Sequence, residues 1–127
     1  MSQLIKGAIV TGSKETPFDG EEKVFVDCTF IDETLEGAAL SDAVFVGRRF
    51  ERVDLYWAQM FRTVFVRCTF QKVDFRGANM DAACFVTSSL DRCDFSQDNL
   101  GGNTDLSGAH FVKSLQRDCK YSDTKQV

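Results

Sequence analysis

Residues 24–30 read VFVDCTF, 44–50 read VFVGRRF, 64–70 read VFVRCTF and 84–90 read CFVTSSL. The segments follow one another at steps of twenty residues, and VDL at 53–55, VDF at 73–75 and CDF at 93–95 keep the same step. A shorter period lies inside the long one. Every fifth residue is Phe, Leu or Met at Phe25, Phe30, Leu35, Leu40, Phe45, Phe50, Leu55, Met60, Phe65, Phe70, Phe75, Met80, Phe85, Leu90, Phe95 and Leu100. An amphipathic helix repeats every three or four residues and a half-buried strand every two, so a period of five is neither. The chain returns to one interior every five residues, and four such units make one structural repeat. The reading is a coil with four short sides, each coil stacked on the previous one. Residues twenty apart become vertical neighbours at the strand spacing of roughly 4.7–4.9 Å.

The positions two before the central ones are mostly small: Cys28, Ala38, Ala43, Val53, Ala58, Thr63, Cys68, Val73, Ala78, Ala83, Ser88 and Cys93. Large and small side chains must alternate if a narrow tube is to fill without voids. Ala78-Asn79-Met80, Val73-Asp74-Phe75, Cys93-Asp94-Phe95 and Ala58-Gln59-Met60 resemble the unit of pentapeptide-repeat proteins. That unit is a small residue, Asp or Asn, a central Leu or Phe, then two variable residues. The resemblance covers about residues 23–111. It implies an all-β fold, a right-handed quadrilateral parallel β-helix of about four coils, with the central and small residues pointing inward.

The 127 residues make one domain. Residues 1–22 are expected to form an N-terminal cap, 23–111 the β-helix, and 112–127 a short C-terminal capping helix and tail. The helix is expected because Val112, Leu115 and Cys119 stand at helical spacing and repeat arrays need a cap. Between the two, Thr104-Asp105-Leu106 and Ala109-His110-Phe111 have slipped by one residue. A bulge at Gly101-Gly102 accounts for the slip without ending the coil. Net charge is a mild −4. There is no apolar run of about 18 residues, so no transmembrane span is expected. The start, MSQLIKGAIVTGSKETP, lacks a signal-peptide pattern, and the expected location is the cytoplasm. Five cysteines, an odd number with no zinc spacing, fit a reducing compartment. Cys28, Cys68 and Cys93 read as core fillers, and Cys84 should point outward.

Three inward positions carry charge: Glu33, Arg48 and Asp98. Glu33 and Asp98 fall near the ends of the rod, where water reaches. Arg48 lies between Cys28 and Cys68 in one column. Buried and unpaired it would be costly, so either a local bulge turns it outward or it pairs with Glu33. The bulge is the expected solution.

Two surfaces stand out. Val24, Val26, Val44, Val46, Val64, Val66 and Val86 flank central Phe residues and point outward as a flat β-branched wall of roughly several hundred Å², which monomers rarely leave bare. It is read either as covered by Leu4, Ile5 and Ile9 of the N-terminal segment or as an interface for a partner or a second copy. Tyr56, Trp57 and Phe61 fall on one corner, outside a core already full, and resemble an interaction hot spot. The other reading is that a terminal segment packs over them.

Asp54, Asp74 and Asp94 form a vertical acidic ladder that Arg52, Lys72 and Arg92 should neutralise. Arg48, Arg49, Arg52, Arg67, Lys72 and Arg92 lean one side basic, but Asp32, Glu51 and Asp91 interrupt it. Direct nucleic-acid binding wants a cleaner stripe. Nothing supports catalysis, a cofactor or a metal site. His110 has no nucleophile placed beside it, no acidic cluster has ligand spacing, and Gly101-Gly102 is not followed by the Lys-Ser/Thr of a phosphate loop.

The expected function is therefore non-enzymatic protein binding by a rigid scaffold. The resemblance adds two alternatives. Some pentapeptide-repeat proteins mimic B-form DNA and bind DNA gyrase, inhibiting it or protecting it from quinolones. Others serve as bacterial secretion-system effectors or adaptors. Mimicry wants a long, strongly acidic rod, and here acids are balanced and the rod is short. The unbroken register also leaves no room for the protruding loops of the quinolone-resistance members.

Overall fold

A computed structural model describes residues 4–7, 18–98, 100, 104–121 and 125–126. Its strands are β1 (Leu4–Lys6), β2 (Val24–Ile31), β3 (Val44–Glu51), β4 (Val64–Gln71), β5 (Cys84–Val86), β6 (Ser89–Asp91), β7 (Asp105–Leu106), β8 (His110–Val112), β9 (Leu115–Arg117) and β10 (Lys125–Gln126). All pairings are parallel, β1-β2-β3-β4-β5-β8 along one path, with β6 on β4 and β9 on β6. Two further sides are held by single bridges: Thr34, Asp54, Asp74, Asp94 and Lys120 on one, and Asp19, Ala39, Gln59, Asn79 and Asp105 on the other. These four stacks are the four sides of a parallel β-solenoid of about four turns.

The corners explain why the period is five. From Phe25 to Leu90 the second residue after each central one has positive φ, as at Asp32 (53°), Asp42 (61°), Arg62 (57°), Lys72 (52°) and Arg92 (54°). A left-handed residue costs a non-glycine about 1–2 kcal/mol, so each corner is a local expense that stacking must offset. At half of the corners a turn closes it. Ala38 N donates to Leu35 O at 3.0 Å, and Ala58 N to Leu55 O at 3.0 Å, each with the positive φ at the third residue that a type II turn requires. Where Asp or Asn precedes a central residue, as on two of the four sides, it supplies another brace. Asp54, Asp74 and Asp94 accept the N–H two residues on, from Tyr56, Arg76 and Ser96, at 2.9–3.0 Å, the Asx-turn geometry.

Inside, the central residues stack in columns. Phe25, Phe45, Phe65, Phe85 and Phe111 lie ring on ring at 4.6–5.0 Å, and Phe30, Phe50 and Phe70 at 4.5–4.8 Å. The small position does more than fill space. Thr63 Oγ1 donates to Leu40 O at 2.7 Å, Cys68 Sγ to Phe45 O at 3.5 Å, and Ser88 Oγ to Phe65 O at 3.4 Å. Each ties its coil to the carbonyl of a central residue in the coil below, and no buried side-chain N or O among the described residues lacks a partner.

Several expectations are corrected. Residues 112–121 form no helix but continue the coil, with β8 on β5 and β9 on β6. Cys119 takes a small position, its thiol donating to Leu90 O at 3.6 Å, and Tyr121 takes a central one, stacked on Phe95 at 5.1 Å. Val112 and Leu115, which suggested a helix face, point to solvent at 44% and 74% exposure. Leu100 is not core but 82% exposed. Asn79 bridges Asp105 where a step of twenty would have placed Asn99, so the stack resumes in a register displaced from the period of twenty. Gly101-Gly102 and Ile9 lie outside the described residues.

Arg48 is exposed, as the bulge reading requires. Gly47 (φ 72°) and Arg48 (φ 79°) are both left-handed, where other corners have one such residue. The second reversal swings the side chain out, and its Nε donates to Thr29 Oγ1 at 3.2 Å. Among the described residues no helix is long and apolar enough to cross a membrane.

Candidate protein-interaction surface

The alternation of strands sends Val24, Val26, Val44, Val46, Val64, Val66 and Val86 to the outer face, all half-buried. They form two columns in register, Val24, Val44, Val64, Cys84 and His110 beside Val26, Val46, Val66, Val86 and Val112. Stacked β-branched neighbours cover one another's flanks, which is why this face suits a sheet. The N-terminal strand β1 does not lie across the columns. Leu4 pairs Val24, Ile5 pairs Phe25 and Lys6 pairs Val26, so β1 adds a rung. Ile5 packs on the core, and Leu4 is 65% exposed at the end of the wall.

The aromatic corner is not what its sequence position suggested. Tyr56 is buried, 7% exposed, with Trp57 at 4.7 Å and the Arg76 guanidinium 5.2 Å from its ring. Trp57 is 39% exposed and donates its indole N–H to Asp98 Oδ2 at 2.7 Å. Asp98 thus holds the indole instead of pointing inward, and its Oδ1 accepts the Leu100 N–H at 2.8 Å. Phe61 is half-buried under the Arg62 guanidinium, 4.5 Å from its ring. The signal that sequence reasoning missed is this charged cover. Three aromatics that stand together in the chain are separated by burial and by cation–π partners.

Charges pair one rung apart. Arg52 donates to Asp32 at 2.5 and 2.9 Å, holding that carboxyl below its ordinary range, and Arg62 donates to Asp42 at 2.9 and 3.3 Å. Two acids of the ladder, Asp74 and Asp94, are met by Arg76 at 2.9 and 3.8 Å, while Arg52 turns to Asp32 and Glu51 and Arg92 to Asp91. Asp74 is the main cause of the raised Arg76 pKa. Among the described residues no three His, Cys, Asp or Glu side chains converge to hold a metal ion.

Residues 58–97 match the family model for pentapeptide repeats, in eight copies. These residues are pentapeptide repeats, and the chain that carries them folds as a parallel β-helix. Solved structures carry the same fold beyond the matched repeats. A trypsin-treated form of QnrB1, described as a plasmid-mediated fluoroquinolone resistance protein, matches at 17% identity with a TM-score of 0.58, over 99% of this chain and 71% of that one. The pentapeptide-repeat protein Rfr23 from the cyanobacterium Cyanothece 51142 matches at 16% identity with a TM-score of 0.55, over 94% of this chain and 84% of that one. No curated protein matches the chain.

Proposed function

We propose that this pentapeptide-repeat β-helix is a non-enzymatic scaffold that binds protein through its valine face. The observation that carries this reading is the pair of apolar columns, in register from Val24 and Val26 to Cys84 and Val86, with β1 extending them instead of lying over them. A stacked face of this kind is rigid before binding, so a partner bears little ordering cost on this side.

The first partner to test is a second copy. Light scattering over a range of concentrations is expected to give twice the 14.2 kDa chain mass. Val46→Lys with Val66→Lys is expected to give a folded 14.2 kDa monomer, because the new ammonium groups stand on the face and not in the core. A double variant with the wild-type mass would remove the valine face from the interface.

The fold likeness to QnrB1 favours a second reading, engagement of DNA gyrase by resemblance to duplex DNA. Duplex DNA carries one sign of charge at every ~1.7 Å. Here Asp32, Asp42 and Asp74 each have an arginine partner, which favours the first reading. Gyrase supercoiling in the presence of the protein, with and without a quinolone, is expected to be unchanged. Inhibition or drug protection would reverse the order of the two readings.

A further inference from the structure

Five cysteines are distributed unevenly over the coils, and two of them are brought together by the displaced register. Cys28 and Cys68 share a column but are kept apart, because Arg48 pairs both positions. Cys93 and Cys119 have no residue between them. Asp94 bridges Lys120, Lys120 N donates to Cys93 O at 3.0 Å, and Phe95 N donates to Lys120 O at 2.8 Å. The two cysteines therefore occupy successive rungs of one side.

Their thiols share one orientation. Cys93 Sγ points at Phe70 O (3.8 Å) and Asp91 O (3.7 Å), and Cys119 Sγ at Leu90 O (3.6 Å) and Arg117 O (3.5 Å). One rung is roughly 4.7–4.9 Å, inside the Cα separation of about 4.4–6.8 Å that a disulfide spans. Both are free thiols; Cys93 is buried and Cys119 half-exposed.

We infer that Cys93 and Cys119 are a stacked dithiol that a peroxide converts to a disulfide, stapling the last coil to the one before it. The asymmetry in burial sets the order of events. Burial, with a further contribution from the Cys119 thiol, pushes the Cys93 thiol up to about 12, so Cys93 is the poor first nucleophile. The Cys119 thiolate attacks hydrogen peroxide, taking one oxygen to become a sulfenic acid and releasing hydroxide. Cys93 then gives up its proton, and its sulfur attacks the Cys119 sulfur. The S–S bond forms, the sulfenic oxygen leaves, and the protons complete water. Overall two thiols and one peroxide yield one disulfide and two waters, the sulfurs oxidised and the peroxide reduced.

The test is hydrogen peroxide treatment of the full chain, followed by thiol counting, intact mass and peptide mapping. The expected result is a loss of two thiols, a mass lower by about 2 Da, a Cys93–Cys119 cross-linked peptide, and reversal by dithiothreitol. Cys93→Ser and Cys119→Ser should each abolish the cross-link. Both variants should fold, since Ser88 and Ser114 already occupy equivalent small positions, each Oγ donating to a carbonyl of the coil below. Cys28→Ser should leave the cross-link intact. Oxygen addition at Cys119 with Cys93 left reduced would overturn the inference. So would a cross-link between two chains, or no thiol loss at peroxide levels that oxidise a free cysteine.

Discussion

Phe65→Ala lowers the unfolding free energy by about 3–5 kcal/mol, read from the midpoint and slope of urea denaturation. Phe65 has no exposed surface and sits in the middle of the longest aromatic column, between Phe45 at 5.0 Å and Phe85 at 4.8 Å. It also meets the neighbouring column edge-on, at Phe50 and Phe70. Truncation removes the transfer energy of the ring and leaves a cavity that a stacked backbone cannot collapse into. Every coil is held to the next by a ladder of hydrogen bonds at a set spacing. Leu100 stands at the same register position in the chain, yet Leu100→Ala should change stability by less than about 0.5 kcal/mol, because its side chain is in solvent. Equal losses at the two positions would mean that the period of five, and not the displaced register, places residue 100.

Gly77→Ala should cost about 2–3 kcal/mol in the same measurement. The backbone there has φ +70°, and an added Cβ would meet the Trp57 indole, with Nε1 only 2.8 Å away, and Asp98 Oδ2 at 3.0 Å. The left-handed conformation accounts for about 1–2 kcal/mol. Loss of the Trp57–Asp98 hydrogen bond adds about 1 kcal/mol. Gly37→Ala separates the two effects, since Gly37 has φ +69° with nothing within 4 Å of the added Cβ. It should show the backbone cost alone. Trp57 is the only tryptophan, so its fluorescence should change in the Gly77 variant and stay constant in the Gly37 variant. If the two variants lose equal stability with unchanged emission, the indole does not rest on Gly77.

Much of the surface was legible because a five-residue period assigns each position a direction. The seven valines stand where their place beside a central Phe puts them. Tyr56 was not legible. It follows a central Leu55, as an outward residue should, but Arg76 one coil above covers it. A partner twenty residues away in the chain contributes nothing to a local pattern. The capping helix failed for a related reason. Val112, Leu115 and Cys119 fit a helical spacing, and they fit equally a coil in which two of them face solvent and the third fills the small position.

The sequence by itself determined the coil, its four sides, its columns of large and small residues and the outward valine wall. Those follow from covalent spacing, because each five-residue unit turns one corner whatever lies above it. Only the tertiary structure decided which units stack after Asp98. The offset between rungs is a non-local choice, made by the hydrogen bonds and rings that meet across coils. Thr104 rests on Ala78's side with its hydroxyl donating to Phe75 O at 3.1 Å, and Tyr121 lies over Phe95. That choice expels Leu100, ends the expectation of a helix, and sets Cys119 over Cys93.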